Sequence, residues 1–232
     1  MLERFIHYSR AVELPDEPTP EQLAVAKSAV PAAAVRRMTL LGLMVGDALR
    51  DHSPREEDTI VYATCFSETR TLERYMEGFP TPSPQLFQTS IHPSAVEQVL
   101  IARNLPVDEF YPLAGSTTLV SSALQTALLA TTPRVWLIGG EERGTWLRET
   151  DQASAHNYAF CLLLTANAEG AIGRISWTTD AQAQAHPETA EEACATGTSV
   201  PSLRAFFEDL SRRCPRCMAT PEMGRLGIEW FA

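Results

Sequence analysis

The stretch Phe110–Glu142, "FYPLAGSTTLVSSALQTALLATTPRVWLIGGEE", decides how this chain folds. A short apolar run ends in small residues, Ala114-Gly115-Ser116-Thr117-Thr118. A long apolar segment at helical spacing follows, then an apolar run ending in Gly-Gly-Glu-Glu. Strand, tight elbow and buried helix form the arrangement by which many folds present a nucleophile at a helix N-terminus. At the point of this elbow stands a glycine.

Upstream the same alternation holds. Leu2–Ser9 alternates loosely and is a candidate first strand. Val35, Met38, Leu41, Met44, Val45, Ala48 and Leu49 recur at helical spacing, which predicts one amphipathic helix with a single buried face. "DTIVYATCF" reads as a buried parallel-type strand, because it is apolar throughout and β-branched. Glu68–Met76 is a short helix. A second helix runs from Pro84, with a kink or restart near Ser90–Pro93. Strands are expected at Asp108–Leu113 and Arg134–Gly139, and a helix at Ser116–Ala130. "NYAFCLLLTANAEGAIGRISWTT" reads as a hairpin turning at Asn167–Gly170. After Thr179 come a small, acidic stretch, a helix in "PSLRAFFEDLSRRC" capped by Ser202 or Ser199, and a last strand in "GRLGIEWFA". We therefore expect an α/β fold with a mainly parallel mixed sheet. Residues 1–179 form the domain, and residues 180–232 are an acidic loop with a helix and strand packed on it.

Composition excludes several functions. With 232 residues, 44% of them apolar, the chain can bury a substantial core. Its 19 basic and 29 acidic residues give a net charge of -10, and no basic run exceeds "RR", at Arg36-Arg37 and Arg212-Arg213. Such a chain is poorly suited to phosphate backbones or anionic membranes. "MLERFIHYSR" lacks the apolar core of a signal peptide, and no apolar helix approaches membrane-spanning length, so we expect a cytoplasmic protein without a membrane span. The five cysteines are odd in number and irregular in spacing, which argues against a disulfide framework. Cys214 and Cys217 form a single CxxC without a second ligand pair, so no metal and no cofactor are expected.

The ordered set of motifs carries a resemblance. "RRMTLLGLMVGDALRD", "FQTSIHPSAVEQVLIARNL", "LAGSTTLVSSALQTAL", "VWLIGGEE" and the pair "AFCLLLT" and "GRISWT" resemble successive segments in the first half of β-ketoacyl synthases. The resemblance runs from about Val35 to Thr179 and is closest to half-length synthase-like proteins of aryl polyene and xanthomonadin-type pigment pathways. It implies half of a thiolase-like fold, lacking the second ketosynthase half. Two departures matter. The family places cysteine at the elbow, in a pattern like Ala-Cys-Ser-Ser; here the residues are Ala114-Gly115-Ser116-Thr117. Glycine offers nothing to acylate. Residues 180–232 are also too few for the half that carries the family's two histidines, and His7, His52, His92, His156 and His186 fall in no matching motif.

Other nucleophiles are weak candidates. Ser116 is expected one step into the helix with no evident base, a position usual for an N-cap. Cys65 ends a strand near the expected sheet top, where a core thiol is the plainer explanation. Glu141 and Glu142 could do acid–base work, although the matching GG-x-E segment of the related enzymes is structural.

The resemblance implies a role. Similar noncatalytic subunits, the chain length factors, pair with an active ketosynthase and bound the tunnel in which its product grows. They usually carry glutamine where this chain has Gly115. By the same resemblance Glu109, Phe110, Tyr111, Pro112 and Leu113 would pair across the dimer. Phe87, Ser90, Ile91, Ser94 and Ala95 would line the tunnel at the interface. The implied partner is a full-length catalytic β-ketoacyl synthase, with an acyl carrier protein reached through it, since two acidic proteins dock poorly. A glycine at the elbow would allow the tight turn and keep a side chain out of the shared space. An independent acyltransferase or thioesterase using Ser116 or Cys65, or a purely structural stabiliser, are the alternatives.

Overall fold

The computed structural model describes residues 1–179, 200–220 and 224–231. Among the described residues there are eight strands: β1 (Leu2–Leu14), β2 (Thr59–Thr64), β3 (Glu109–Ala114), β4 (Arg134–Glu141), β5 (Asn157–Thr165), β6 (Gly173–Thr179), β7 (Arg216–Thr220) and β8 (Gly224–Trp230). They form one sheet in the order β3-β2-β4-β5-β1-β6-β8-β7. The helices are α1 (Pro20–Ser28), α2 (Leu40–Ala48), α3 (Thr69–Glu77), α4 (Pro84–Thr89), α5 (Ser94–Arg103), α6 (Leu119–Leu129) and α7 (Leu203–Arg212).

Successive strand side chains point to opposite faces, and both faces are covered. Val61, Ala63, Leu137, Phe160 and Leu162 pack under α6 and α7, against Leu124, Phe206 and Leu210. Ile60, Tyr62, Trp136, Ile138 and Cys161 pack under α2 and α5, against Met44, Val45 and Val99. β2 is buried along its whole length, which explains its unbroken run of apolar and threonine residues. The result is an α/β/α sandwich. The apolar helix α6 and the strands flanking it lie where the elbow stretch places them.

Four expectations need correction. The sheet is mixed, but parallel pairing is confined to β3-β2 and β2-β4. The pairs β4-β5, β1-β5, β1-β6, β6-β8 and β7-β8 are antiparallel, so the sheet is not mainly parallel. β5 and β6 are not a hairpin, because β1 lies between them. Phe5–Leu14 pairs with β5 and Leu2–Ile6 with β6. The connection between β5 and β6 therefore crosses two strand spacings, roughly 10 Å, which its length permits.

The helix expected from Val35 is also divided. Val35–Arg37 is a single 3₁₀ turn, Met38 and Thr39 are extended, and α2 starts at Leu40. Thr39 is the reason: its Oγ1 accepts from Gly42 N at 2.9 Å, as an N-cap does. Residues Leu41–Ala48 of α2 are all buried, so this helix has no solvent face. Lastly, α6 begins at Leu119 rather than Ser116. The residues before it form a turn in which Leu119 N donates to Ser116 O at 3.3 Å.

Past the acidic stretch, Ser202 caps α7 by accepting from Ala205 N at 3.2 Å. β8 extends the sheet beside β6, and β7, which the sequence reading omits, lies outside it. The alternative cap Ser199, His186, Cys194 and the acidic stretch itself lie outside the described residues.

Candidate functional site

β2 pairs with β3 on one side and β4 on the other. The chain leaves β2 to build one flank and later returns to build the other, so the crevice at the carboxyl ends of β2 and β4 is a topological switch point. There the structure gathers Thr64 from β2 and Cys65 just after it, Glu141 from β4 and the elbow after β3. Glu141 is the organising group. It is buried, and its carboxyl accepts from Thr64 Oγ1 at 3.0 Å, from Cys65 N, and from Phe66 N at 3.3 Å. These bonds fix the turn after β2, where Ser67 holds a left-handed φ of 54°. Gly115 N then donates to Thr64 O at 3.3 Å, tying the elbow to the same turn.

The glycines of β4 serve packing. A Cβ on Gly140 would sit 2.5 Å from Tyr158 O, so β5 approaches too closely for any side chain there. Gly115 is different. Its φ is not in the left-handed region, and a Cβ built on it meets nothing within 4 Å. The turn does not require a glycine, contrary to the conformational role expected from the sequence. The elbow keeps its shape and has space for a side chain, yet offers no functional atom.

Gly115 opens onto a cavity of about 790 Å³, walled by Cys65, Ser116, Glu141, His156, Tyr158 and Arg204 among others. Burial raises the Glu141 pKa to about 8, even though its three donors favour the charged form. Burial, and then the neighbouring Glu141, push the Cys65 thiol up to about 12. A thiol held that high is protonated at neutral pH and is a poor nucleophile. Ser116 Oγ makes no hydrogen bond among the described residues, so neither Glu141 nor His156 is placed to activate it. Arg204 is neutralised by Glu13 at 2.7 Å and Glu208 at 2.9 Å, and its guanidinium lies over the rings of Tyr158 and Phe207. The site can hold an apolar body. Among the described residues it lacks the nucleophile–base pair that acyl transfer requires.

Glu142 faces away from this cavity. It accepts from Leu41 N at 3.3 Å at the start of α2 and lies 3.6 Å from Arg70. Both carboxylates of the Gly-Gly-Glu-Glu segment thus bind backbone N–H groups. Glu68, also buried, accepts from Ala95 N at 3.0 Å. His92 stacks on Tyr62, 3.6 Å from Glu68, and His7 and His52 lie at the β1 side. Cys214 is half-buried and Cys217 buried, and among the described residues no cluster of His, Cys, Asp or Glu is placed to hold a metal ion.

The expected tunnel residues divide. Phe87 is 50% and Ile91 52% exposed, and Ser90 stands between them. Ser94 and Ala95 are buried on the inner face of α5. Ser94 Oγ donates to Thr89 O at 2.8 Å. Glu109, Phe110, Tyr111, Pro112 and Leu113 form the edge strand β3, paired only with β2 among the described residues. Phe110 packs on the α2–α5 side and Leu113 on the α6 side, while Tyr111 is 43% exposed. Sequence reasoning missed His156, Tyr158 and Arg204 of the cavity. Only the run "HNY" at a strand start, and an arginine opening the last helix, could have hinted at them.

Searched against models of protein families, the chain matches none, and no curated protein matches it. Solved structures do match. One is the structure of a ketosynthase (ApeO) in complex with its chain length factor (ApeC) from Xenorhabdus doucetiae, at a TM-score of 0.64 and 18% identity, covering 99% of this chain and 100% of that one. A second is the ishigamide ketosynthase/chain length factor, at 0.62 and 10%, covering 100% of both chains. A third is a β-ketoacyl synthase from Burkholderia phymatum STM815, at 0.53 and 12%, covering 92% and 78%. The chain therefore has the thiolase-like fold shared by ketosynthases and their chain length factors. No helix among the described residues is long and apolar enough to cross a membrane.

Proposed function

We propose that this protein is a noncatalytic, chain-length-factor-like partner of a full-length catalytic β-ketoacyl synthase, acting in aryl polyene-type, fatty-acid- or polyketide-like assembly in the cytoplasm. The observation that carries this reading is Gly115. An intact elbow opens onto a sizeable cavity, has room for a side chain, and has no atom to acylate. Losing the nucleophile while keeping the architecture fits a subunit that shapes and binds. The competing enzyme reading is disfavoured by a Cys65 thiol raised to about 12 and a Ser116 without a base.

The surface supports association. The edge of β3 is open among the described residues, and unpaired strands favour pairing with another chain. Beside α3 and α4, Met76, Phe79, Phe87 and Ile91 are exposed, with Tyr75 packed between Phe79 and Phe87. The heterodimer is centred on Glu109–Leu113 and the Phe87–Val96 segment and buries more than about 2,000 Å². Phe87, Ser90 and Ile91 would reach the shared tunnel, with Ser94 and Ala95 packed behind them. The acyl carrier protein docks on the catalytic partner. Co-expression with a full-length synthase, followed by gel filtration and product analysis, tests this. Two independent monomers at micromolar concentration would refute it.

A further inference from the structure

The arginine pair Arg36-Arg37, an isolated basic feature in an acidic sequence, acquires company in the fold. The 3₁₀ turn that carries it faces α3 and the start of α4, and Gln85 Nε2 donates to Arg36 O at 3.3 Å. Arg70 and Arg74, one turn apart on α3, project from the same helix face. All four arginines line one cavity of about 610 Å³, well separated in composition from the elbow cavity: its wall also includes Thr39, Thr71, Ser83 and Gln85.

The charges in this cavity do not balance. Its acidic members are Asp16 and Glu142. Asp16 is taken by Arg143, and Glu142 is buried with its carboxyl pushed up by burial, so it offsets Arg70 only in part at 3.6 Å. Arg36 and Arg37 form no ion pair with any described residue, and Arg74 faces the same Glu142 carboxyl as Arg70. All three are exposed, whereas the half-buried Arg10, Arg134, Arg174 and Arg204 are each paired with a carboxylate and Arg4 and Arg103 are held by backbone carbonyls.

We propose that this cavity is an anion site for a phosphate-bearing small molecule with at least two negative charges. Guanidinium forks match phosphate oxygens in pairs, and four arginines sharing the single Glu142 carboxyl would leave a monocarboxylate overmatched. The hydroxyls of Thr71 and Ser83 add neutral hydrogen-bonding groups to the wall. The volume exceeds what a bare phosphate fills and lies in the range of small-molecule pockets, so an organic portion fits beside Leu23 and Leu86. The net negative charge elsewhere is no obstacle, because at physiological salt exposed charges beyond about 8 Å are largely screened.

The test uses the full chain and inorganic pyrophosphate as probe, titrated by calorimetry at about 0.15 M salt. Saturable one-site binding is expected, weakened about tenfold or more by Arg74→Gln and by the pair Arg36→Gln with Arg37→Gln. Arg213→Gln, past the end of α7, leaves the affinity unchanged and controls for general charge attraction. Circular dichroism confirms that each variant is folded. Absence of binding at 10 mM pyrophosphate, on the order of a hundred times weaker than a useful site, overturns the proposal. Equal affinity in the arginine variants, or an equal loss in Arg213→Gln, overturns it as well.

Discussion

Glu141→Gln should change how stability depends on pH, in a direction and by an amount that the site specifies. The wild-type carboxyl has a pKa of about 8 when folded, against an ordinary value of 4.5. Between those values the folded state keeps a proton that the unfolded chain releases. The unfolded state therefore binds fewer protons, and stability falls as pH rises through this window. Below pH 4.5 both states are protonated, and above about 8 both are ionised, so the dependence flattens at either end. Integrating this single group from pH 5 to pH 8 gives a loss of about 3 kcal/mol. Glutamine cannot ionise and removes that loss. It also brings a cost: its oxygen can still accept from Cys65 N and Thr64 Oγ1, but its amide cannot accept from Phe66 N. One buried donor left unpaired costs about 1–3 kcal/mol at every pH. The variant is thus less stable than wild type at pH 5, and the gap closes or reverses by pH 8. Urea denaturation of both proteins across this range measures it. Taking the difference cancels Glu142, also raised, and Glu73, which is lowered by hydrogen bonds from the Thr145–Leu147 turn. If the two stability curves run parallel, Glu141 is ionised in the folded protein and the account of this cavity is wrong.

Further outcomes follow from the same structure. Incubated alone with acyl-carrier substrates, the protein acquires no covalent acyl group; an intact-mass adduct on Ser116 or Cys65 would sink the noncatalytic reading. Gly115→Ala stabilises the chain by about 0.4–1 kcal/mol in thermal or urea melts, because the new methyl enters open space and only the unfolded state loses freedom. Asp58→Ala costs about 3–5 kcal/mol, because Asp58 is fully buried and accepts from Trp136 Nε1 at 2.8 Å and Arg55 N at 2.9 Å beside Arg134. In a reconstituted complex, Phe87→Ala and Ile91→Ala lengthen the carrier-bound products seen by mass spectrometry, since removing a stop worth about 1–3 kcal/mol admits another extension. Ser94→Phe destabilises the chain itself by overpacking a buried position.

What could be read locally was read well where the signal is local. The β2 run, the elbow and α6 each declare themselves through unbroken apolar stretches and small residues, and the proline-rich break before Ser94 marks the start of α5. What escaped are pairings between distant segments. Nothing near Leu2–Leu14 says that this strand parts β5 from β6, because a ladder bond leaves no trace in the sequence of either strand. The extra strand β7 escaped for the same reason, its five residues beginning inside the CxxC. The cap at Thr39 escaped because the apolar periodicity continues across it.

The absence of a nucleophile belongs to the sequence alone. Gly115 has no side chain in any conformation, so no fold could restore an acylation site at that residue. The sign and size of the net charge are equally independent of folding. The tertiary structure decided everything that depends on neighbours. It showed that the elbow has room for the side chain it lacks, and it converted Glu141 from an ordinary carboxyl into one that stays protonated near neutrality. It exposed Phe87 and Ile91 while burying Ser94 and Ala95, and gathered four arginines from two separated segments around one cavity. Burial and long-range contact set dielectric, accessibility and pairing, and none of these is a property of a residue taken by itself.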